Sequence, residues 1–256
     1  MPKIRILNKA SEMALAAAAD GVAALQQAIR EFGMARLVAA TGASQLQFLA
    51  ALTGDRSVDW NRVELFHLDE YAGLDQTHSA SFAKYIRERI IDPTGIRHYY
   101  LLDGARPASE VMAEAGKRVT AEPIHVAFVG IGENGHLAFN DPPADFVNPA
   151  PYLLVDLDEA CRRQQVGEGW FSELAQVPRQ AISMSIQQIL KARRILCVVP
   201  DERKARAVAG ALGGPVTPEV PASILQTHPD VTVYLDEAAA SLLKLRAPIS
   251  TDTMPT

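Results

Sequence analysis

The amino-acid sequence predicts an α/β fold: a single domain built on a doubly wound, mainly parallel, Rossmann-like sheet. Short apolar runs of strand length alternate along the chain with helical stretches of about ten residues or more, which is typical of parallel βαβ units. No linker rich in Pro, Gly and Ser divides the chain, and 256 residues fit one large α/β domain. We therefore expect one domain over residues 1–246 and a disordered tail over 247–256.

The individual elements follow from patterning and from end signals. Ser11 is placed to cap an alanine-rich first helix, and Gly33 is placed to end it. Apolar runs predict strands at 36–40, 63–68, 124–129, 152–155, 194–199 and 231–235. Helical patterns predict helices at 11–30, directly after the turn 41–44, and at 79–91, 108–120, 158–166, 201–212 and 237–245.

Composition narrows the class of protein. A net charge of −5 argues against a nucleic-acid-binding protein, which normally carries a basic face. Cys161 and Cys197 lack metal-binding or redox spacing and fit reduced thiols in the cytoplasm. The amino terminus lacks the apolar region of a signal peptide, and no stretch approaches the ~18 apolar residues of a membrane span. We therefore expect a cytoplasmic protein without nucleic-acid or membrane partners, in which an anionic ligand would need local positive groups.

The segment Gly130–Pro142 carries the strongest functional pattern. It follows the strand at 124–129, and in an open α/β sheet the loops at the carboxyl ends of the strands bind ligands. Its glycines allow close approach of backbone to a ligand. His136 and Asp141 lie on the same loop, and an imidazole with a nearby carboxylate can transfer protons. The alternative interpretation is a glycine-rich turn with one hydrogen-bonded histidine.

Three further strand ends carry candidate ligand-binding residues. Thr41, Gly42, Ala43 and Ser44 can cradle a phosphate at the start of a helix, or can form a simple capped turn. Asp69 suits proton abstraction from carbon if it is partly desolvated, whereas the pair with Glu70 can equally be a solvated acidic turn.

Lys204 begins the helix after strand 194–199 and is placed to meet a phosphate, although most lysines on helices are simply solvated. His67, Asp69, His136 and Asp141 could ligate zinc in principle, but they lack the short spacing of zinc ligands. No Gly-x-Ser-x-Gly elbow supports a serine hydrolase. We expect no metal and no cofactor.

Taken together, Leu68-Asp69-Glu70-Tyr71, the segment Gly130–Pro142 and Lys204 resemble the glucosamine-6-phosphate deaminase (isomerase) family over about residues 35–245. The 6-phosphogluconolactonases share the fold and a similar glycine-histidine loop, but their loop typically continues into Thr-Ala-Ser, where this chain has Leu137-Ala138-Phe139. The resemblance implies a fold of the sugar-phosphate isomerase type and conversion of glucosamine 6-phosphate and water to fructose 6-phosphate and ammonia.

The resemblance also implies roles for individual residues. His136 would help to open the sugar ring, and Asp69 would carry a proton between C2 and C1 of the open-chain sugar. Asn134 and Asp141 would complete the catalytic set. The remaining substrate-binding candidates, with the phosphate contacts among them, are Thr41, Gly42, Ala43, Ser44, Glu70, Tyr71, Gly135, Arg162 and Lys204.

Three positions depart from the family's pattern. Asp141 stands where Glu is usual, and its side chain is shorter by about 1.5 Å, which predicts that it reaches His136 only through a loop shift or a water. His67 stands where Asn is more frequent. Gly169 stands where an arginine that holds the phosphate is expected, which leaves Arg162 or Arg163 to replace it.

Two alternative functions remain open at this point. One is 6-phosphogluconolactonase activity, and the other is a non-catalytic sugar-phosphate-sensing domain, which would need an attached DNA-binding module. In each case the expected partner is a small-molecule sugar phosphate, and a homo-oligomer is allowed.

Overall fold

The computed structural model describes residues 2–244, and within this range helices and strands alternate as the α/β prediction requires. The strands are β1 (Lys3–Leu7), β2 (Ala35–Ala39), β3 (Val63–His67), β4 (Asp69–Tyr71), β5 (His98–Tyr100), β6 (Val126–Val129), β7 (Tyr152–Asp156), β8 (Gln180–Met184), β9 (Arg194–Val199) and β10 (Val231–Asp236). The α-helices are α1 (Ala10–Phe32), α2 (Leu46–Gly54), α3 (Phe82–Ile86), α4 (Asp92–Thr94), α5 (Ala108–Val119), α6 (Glu159–Gly167), α7 (Ile186–Ile189), α8 (Ala205–Gly213) and α9 (Glu237–Ala240).

The main sheet of the described chain has seven strands in the order β1-β10-β9-β6-β2-β3-β5, and every pair in it is parallel. From β2 the strand order runs towards β3 and β5 in one direction, and towards β6 and β9 in the other. The order therefore reverses between β2 and β6, and ligands bind at such a switch point in doubly wound sheets. The prediction of a doubly wound, mainly parallel α/β fold is confirmed.

Helices cover both faces of this sheet. Apolar side chains of α1 and α2 form one core with β2 and β3, and those of α5 and α8 form another with β6 and β9. All five residues of β2 are buried, as expected for a central parallel strand that is covered on both faces. The rigid sheet holds the carboxyl ends of β2 and β6 side by side.

A second, smaller sheet was not predicted from the sequence. Strands β4, β8 and β7 pair antiparallel in that order, and Asp69 of β4 lies opposite Ser183 of β8. The sequence prediction treated 69–71 as the end of the strand at 63–68 and assigned no strand at 180–184. The chain instead leaves the main sheet at Leu68 and joins the second sheet, which fixes Asp69 at the edge of the switch-point cleft.

Several element boundaries differ from the prediction. Helix α1 begins at Ala10 with Lys9 as its N-cap residue, so Ser11 is not the cap, although Gly33 ends the helix as predicted. The helix predicted at 79–91 begins at Phe82, with Ser81 as its N-cap residue. The last helix ends at Ala240 instead of residue 245.

Two remaining expectations concern the ends of the chain and membranes. The proposed tail at 247–256 lies outside the described residues. No helix in the described part of the chain has the length and apolar character needed to cross a bilayer.

Candidate active site

A cleft at the switch point collects most of the residues that the sequence singled out. It lies at the carboxyl ends of β2, β3 and β6. Its lining includes Thr41, Gly42, Ser44, Asp69, His136 and Lys204, which come from four separate stretches of the chain. The backbone of Gly130–Gly132 forms one wall, and Phe82 and Phe139 provide apolar surface.

Asp69 is a buried carboxyl group at the cleft wall. It is 5% exposed, and its Oδ1 accepts no hydrogen bond from the described residues. Burial, and then the charge of Glu70, raise the pKa of Asp69 to about 8. A carboxylate that binds a proton this strongly and has a free oxygen can act as a base towards a carbon acid placed in the cleft.

Glu70 and Tyr71 do not line the cleft, although they were substrate-binding candidates. The carboxylate of Glu70 accepts hydrogen bonds from the Ser81 hydroxyl (2.8 Å) and from the Ala83 N–H (2.7 Å), so it anchors the start of α3. Burial raises the pKa of Glu70 to about 7, although these donors oppose the rise. The Tyr71 hydroxyl donates to Oε1 of Gln165 at 2.7 Å. Both side chains support the cleft from outside, because their polar groups already have protein partners.

His136 and Asp141 meet directly. Nδ1 of His136 lies 3.2 Å from Oδ1 of Asp141, at an angle that leaves the nitrogen without a well-formed hydrogen bond. We expected the shorter aspartate to need a loop shift or a bridging water. This expectation is wrong, because the two atoms are close enough for direct contact. Burial raises the pKa of Asp141. His136, the Asn134 amide and the N–H of Asp158 together lower it by more than burial raises it, so the pKa lies below its usual value. Asp141 is thus an ionised partner for the imidazole.

The loop backbone positions this pair. The side-chain amide of Asn134 donates to Asp141 Oδ1 at 2.9 Å, and its oxygen accepts the N–H of His136 at 3.1 Å. Gly132 is required because a Cβ atom there would collide with the His136 ring. Gly135 has a positive φ of 87° and its carbonyl accepts the N–H of Ala222. Asn134 and Gly135 therefore hold the loop and do not line the cleft.

The turn after β2 forms an anion cradle, which we define as Thr41, Gly42 and Ser44 together with Lys204. Gly42 has a φ of +104°, a conformation that favours glycine. Ala43 lies in the same turn but lines a neighbouring cavity instead of the cleft. Lys204 is 3% exposed, and burial lowers its pKa although Glu168 opposes this effect. A buried ammonium group beside such a turn suits a phosphate group.

Arg162 does not reach the cradle, so its prediction as a phosphate ligand is wrong for this conformation. Its guanidinium donates to the carbonyl oxygens of Leu174 (2.6 Å) and Val177 (3.0 Å). Arg163 forms an exposed pair with Glu159 and is no replacement. Local helical spacing does not specify which carbonyls a long side chain will contact, and Arg162 turns away from the cleft.

The structure adds cleft residues that sequence reasoning missed. Gln164, Gln165 and Glu168, from α6 and its end, form the side of the cleft that faces the cradle. The only sequence signal for Glu168 was its place next to Gly169, where a basic residue was expected. His67 does not enter the cleft: it is fully buried, burial lowers its pKa to about 3, and its Nδ1 accepts the N–H of Leu102.

One set of side chains in the described chain could hold a metal ion. His136, Asp141 and Cys161 each offer a ligand atom, and these atoms lie within 4.8 Å of one another. The set differs from the four residues that the sequence offered as possible zinc ligands, because Cys161 joins His136 and Asp141 while His67 and Asp69 are absent from it. Two of its members are the proton-transfer pair itself.

The protein has a doubly wound sheet with a proton-transfer pair, a buried carboxyl group and an anion cradle at its switch point. These features are those of the class of α/β sugar-phosphate enzymes. Residues 8–234 match the family of glucosamine-6-phosphate isomerases and 6-phosphogluconolactonases, and the chain belongs to this family. The family resemblance predicted from the sequence is confirmed.

Known relatives agree with this membership. The chain is 36% identical over 213 residues to glucosamine-6-phosphate deaminase of Streptococcus pneumoniae strain 70585, which covers 83% of this chain and 88% of the relative. A solved monomeric glucosamine-6-phosphate deaminase superposes with a TM-score of 0.87 at 28% identity, over 94% of this chain and 99% of that one. A 6-phosphogluconolactonase from Shewanella baltica has a TM-score of 0.76 at 19% identity, over 92% and 97% of the two chains, and shares the fold.

Proposed function

We propose that this protein is an enzyme that converts glucosamine 6-phosphate and water to fructose 6-phosphate and ammonia. The observation that carries the proposal is Asp69, a buried carboxyl group with an unpartnered oxygen in the same cleft as His136 and the anion cradle. The reaction needs a proton removed from carbon, a task that ester hydrolysis does not pose. The 36% identity to a glucosamine-6-phosphate deaminase supports the same assignment.

Substrate binding would begin at the cradle. The phosphate group would lie against the turn at Thr41–Ser44 and pair with the ammonium group of Lys204. Carbons 1 and 2 would then extend towards Asp69 and His136, which line the same cleft. Holding the reacting carbons beside preformed acid and base groups lowers the entropic part of the barrier.

Ring opening would use the His136–Asp141 pair. The hydroxyl on C1 gives up its proton, the bond between C1 and the ring oxygen breaks, and the ring oxygen takes up a proton. His136 would carry this proton, and the ionised Asp141 at 3.2 Å would stabilise the imidazolium that forms. The product of this step is the open-chain amino aldehyde.

Isomerisation and deamination would follow at Asp69. Its carboxylate removes the proton from C2, which the adjacent aldehyde makes acidic. The aldehyde oxygen takes up a proton from the ammonium group of the substrate, and an enolamine forms. Return of the proton to C1 gives an imine at C2, and water then adds to C2 and displaces ammonia. Binding of the cationic amino group beside Asp69 would favour the carboxylate form that the first step needs.

The direct test compares substrates. The purified protein should release ammonia from glucosamine 6-phosphate and should hydrolyse 6-phosphogluconolactone at a far lower rate. Hydrolysis of the lactone without release of ammonia would assign the alternative lactonase activity. Binding of sugar phosphates without turnover of either would favour the sensing domain.

Cytoplasmic location and a homo-oligomer stay expectations, as do the single domain over 1–246 and catalysis without a metal or cofactor.

A further inference from the structure

The anion cradle contains a carboxylate from the protein itself. Oε1 of Glu168 lies 3.9 Å from Nζ of Lys204, and the two side chains are only 7% and 4% exposed. Oε2 of Glu168 lies over Gly42, since a Cβ atom there would be 3.9 Å from it. The positive group best placed to receive a phosphate therefore already faces a buried carboxylate.

Glu168 is held in this position by residues of its own segment. The side-chain amide of Gln164 donates to Oε1 at 2.7 Å, and the indole N–H of Trp170 donates to Oε2 at 3.1 Å. Trp170 in turn packs edge-on against Tyr85, whose hydroxyl donates to the carbonyl of Gly42 at 2.9 Å. The carboxylate thus connects the segment after α6 to the turn of the cradle.

The neighbouring arginine supplies no unopposed charge. Arg203 faces Asp201 at 2.9 Å and Glu133 at 3.6 Å. A phosphate dianion that entered beside Glu168 would meet a like charge at close range in a poorly solvated site, which is strongly unfavourable. Either the carboxylate leaves or the phosphate does not bind.

We propose that Glu168 is an internal anion that occupies the phosphate cradle in the free protein and must be displaced from Lys204 when the phosphate group of the substrate binds. This inference rests on the proposed function, because it requires the cradle to bind the phosphate group of the substrate. Displacement breaks the contacts of Glu168 with Trp170 and Gln164, so phosphate binding also loosens the segment after α6 from the cradle. Glu168 thereby sets the phosphate affinity of the cleft, because every phosphate ligand competes with it.

The test measures binding of inorganic phosphate by calorimetry to the full-length protein. Glu168→Gln keeps the shape of the side chain and removes its charge, and we expect the dissociation constant to fall at least about tenfold. The matched control is Glu159→Gln, which removes an exposed charge from α6, the helix that ends just before Glu168, and should leave the affinity within about twofold. Unchanged or weaker binding in Glu168→Gln would overturn the proposal, and so would the absence of phosphate binding in every variant.

A second readout does not depend on the behaviour of that variant. Trp60 and Trp170 are the two tryptophans of the chain, and Trp60→Phe leaves Trp170 as the reporter. Saturation with phosphate should change the Trp170 fluorescence, because its indole N–H loses Glu168 as its acceptor. An unchanged spectrum at saturation would contradict displacement. Release of ammonia from glucosamine 6-phosphate is measured separately on the wild-type protein. Tighter phosphate binding by Glu168→Gln, together with a wild-type protein that releases no ammonia, would refute the proposed function and retain the inference.

Discussion

Replacing Asp69 by Asn should make the protein more stable and nearly inactive. The pKa of Asp69 is raised from 3.8 to about 8, first by burial and then by Glu70. The folded protein therefore binds this proton more tightly than the unfolded chain does. The stabilisation that comes from binding this proton is fully present below the pKa of the unfolded state, and it is lost as the pH rises towards the pKa of the folded state. Each pKa unit corresponds to about 1.4 kcal/mol, so the shift sets an upper bound of about 6 kcal/mol on the folding free energy lost when Asp69 ionises. Relaxation of the protein and entry of water around the new charge reduce this cost to about 2–5 kcal/mol at pH 9.

The assay follows from this pH window. Urea unfolding at pH 4 should give similar free energies for wild type and Asp69→Asn, whereas at pH 9 the variant should be more stable by about 2–5 kcal/mol. Deamination should fall at least about 10²-fold, the usual scale for loss of a general base. Asp92→Asn, at an exposed carboxylate outside the cleft, controls for the loss of charge. Equal stability of Asp69→Asn and wild type at pH 9 would refute the burial argument, and near-normal turnover would remove Asp69 as the base.

Three further changes test other parts of the cleft. Asp141→Asn removes the ionised group 3.2 Å from His136. Turnover of cyclic glucosamine 6-phosphate should therefore fall much more than turnover of an analogue held in the open-chain form. Equal losses for the two substrates would exclude a role confined to ring opening. Lys204→Met removes the ammonium group of the cradle and should raise KM by about 10–100-fold with a smaller effect on kcat; an unchanged KM would place the phosphate elsewhere. Dialysis against a chelator should leave the deaminase rate unchanged, and a metal ion lost together with activity, bound for example at His136, Asp141 and Cys161, would overturn the expectation of metal-free catalysis.

The sequence was most informative where apolar patterning is strong. The central strands β6 and β9 are continuous apolar runs, so their positions and the parallel α/β fold could be predicted. The antiparallel strand β8 (Gln180–Met184) was missed because its alanine, serine and methionine have weak strand preferences, and its pairing with β4 depends on contacts distant in sequence.

The site was predictable to the extent that strand ends and loops determine it. The loop that carries His136 and Asp141 was found because its glycines and polar residues follow a buried strand directly. The position of Arg162 was predicted wrongly because local spacing does not specify which distant carbonyls a long side chain will contact. Glu168 was missed for a related reason, since its meeting with Lys204 depends on how the segment after α6 folds back over the sheet.

The fate of the hydrogen on C2 distinguishes a buried proton carrier from a base that exchanges freely with water. In a single turnover of glucosamine 6-phosphate deuterated at C2, we expect ammonia and fructose 6-phosphate in equal amounts. Part of the deuterium should appear on C1 of the ketose, because Asp69 is 5% exposed and carries the proton between the two carbons with little exchange with water. Ammonia formed without fructose 6-phosphate, or fructose 6-phosphate without any deuterium on C1, would contradict a buried Asp69 as the proton carrier.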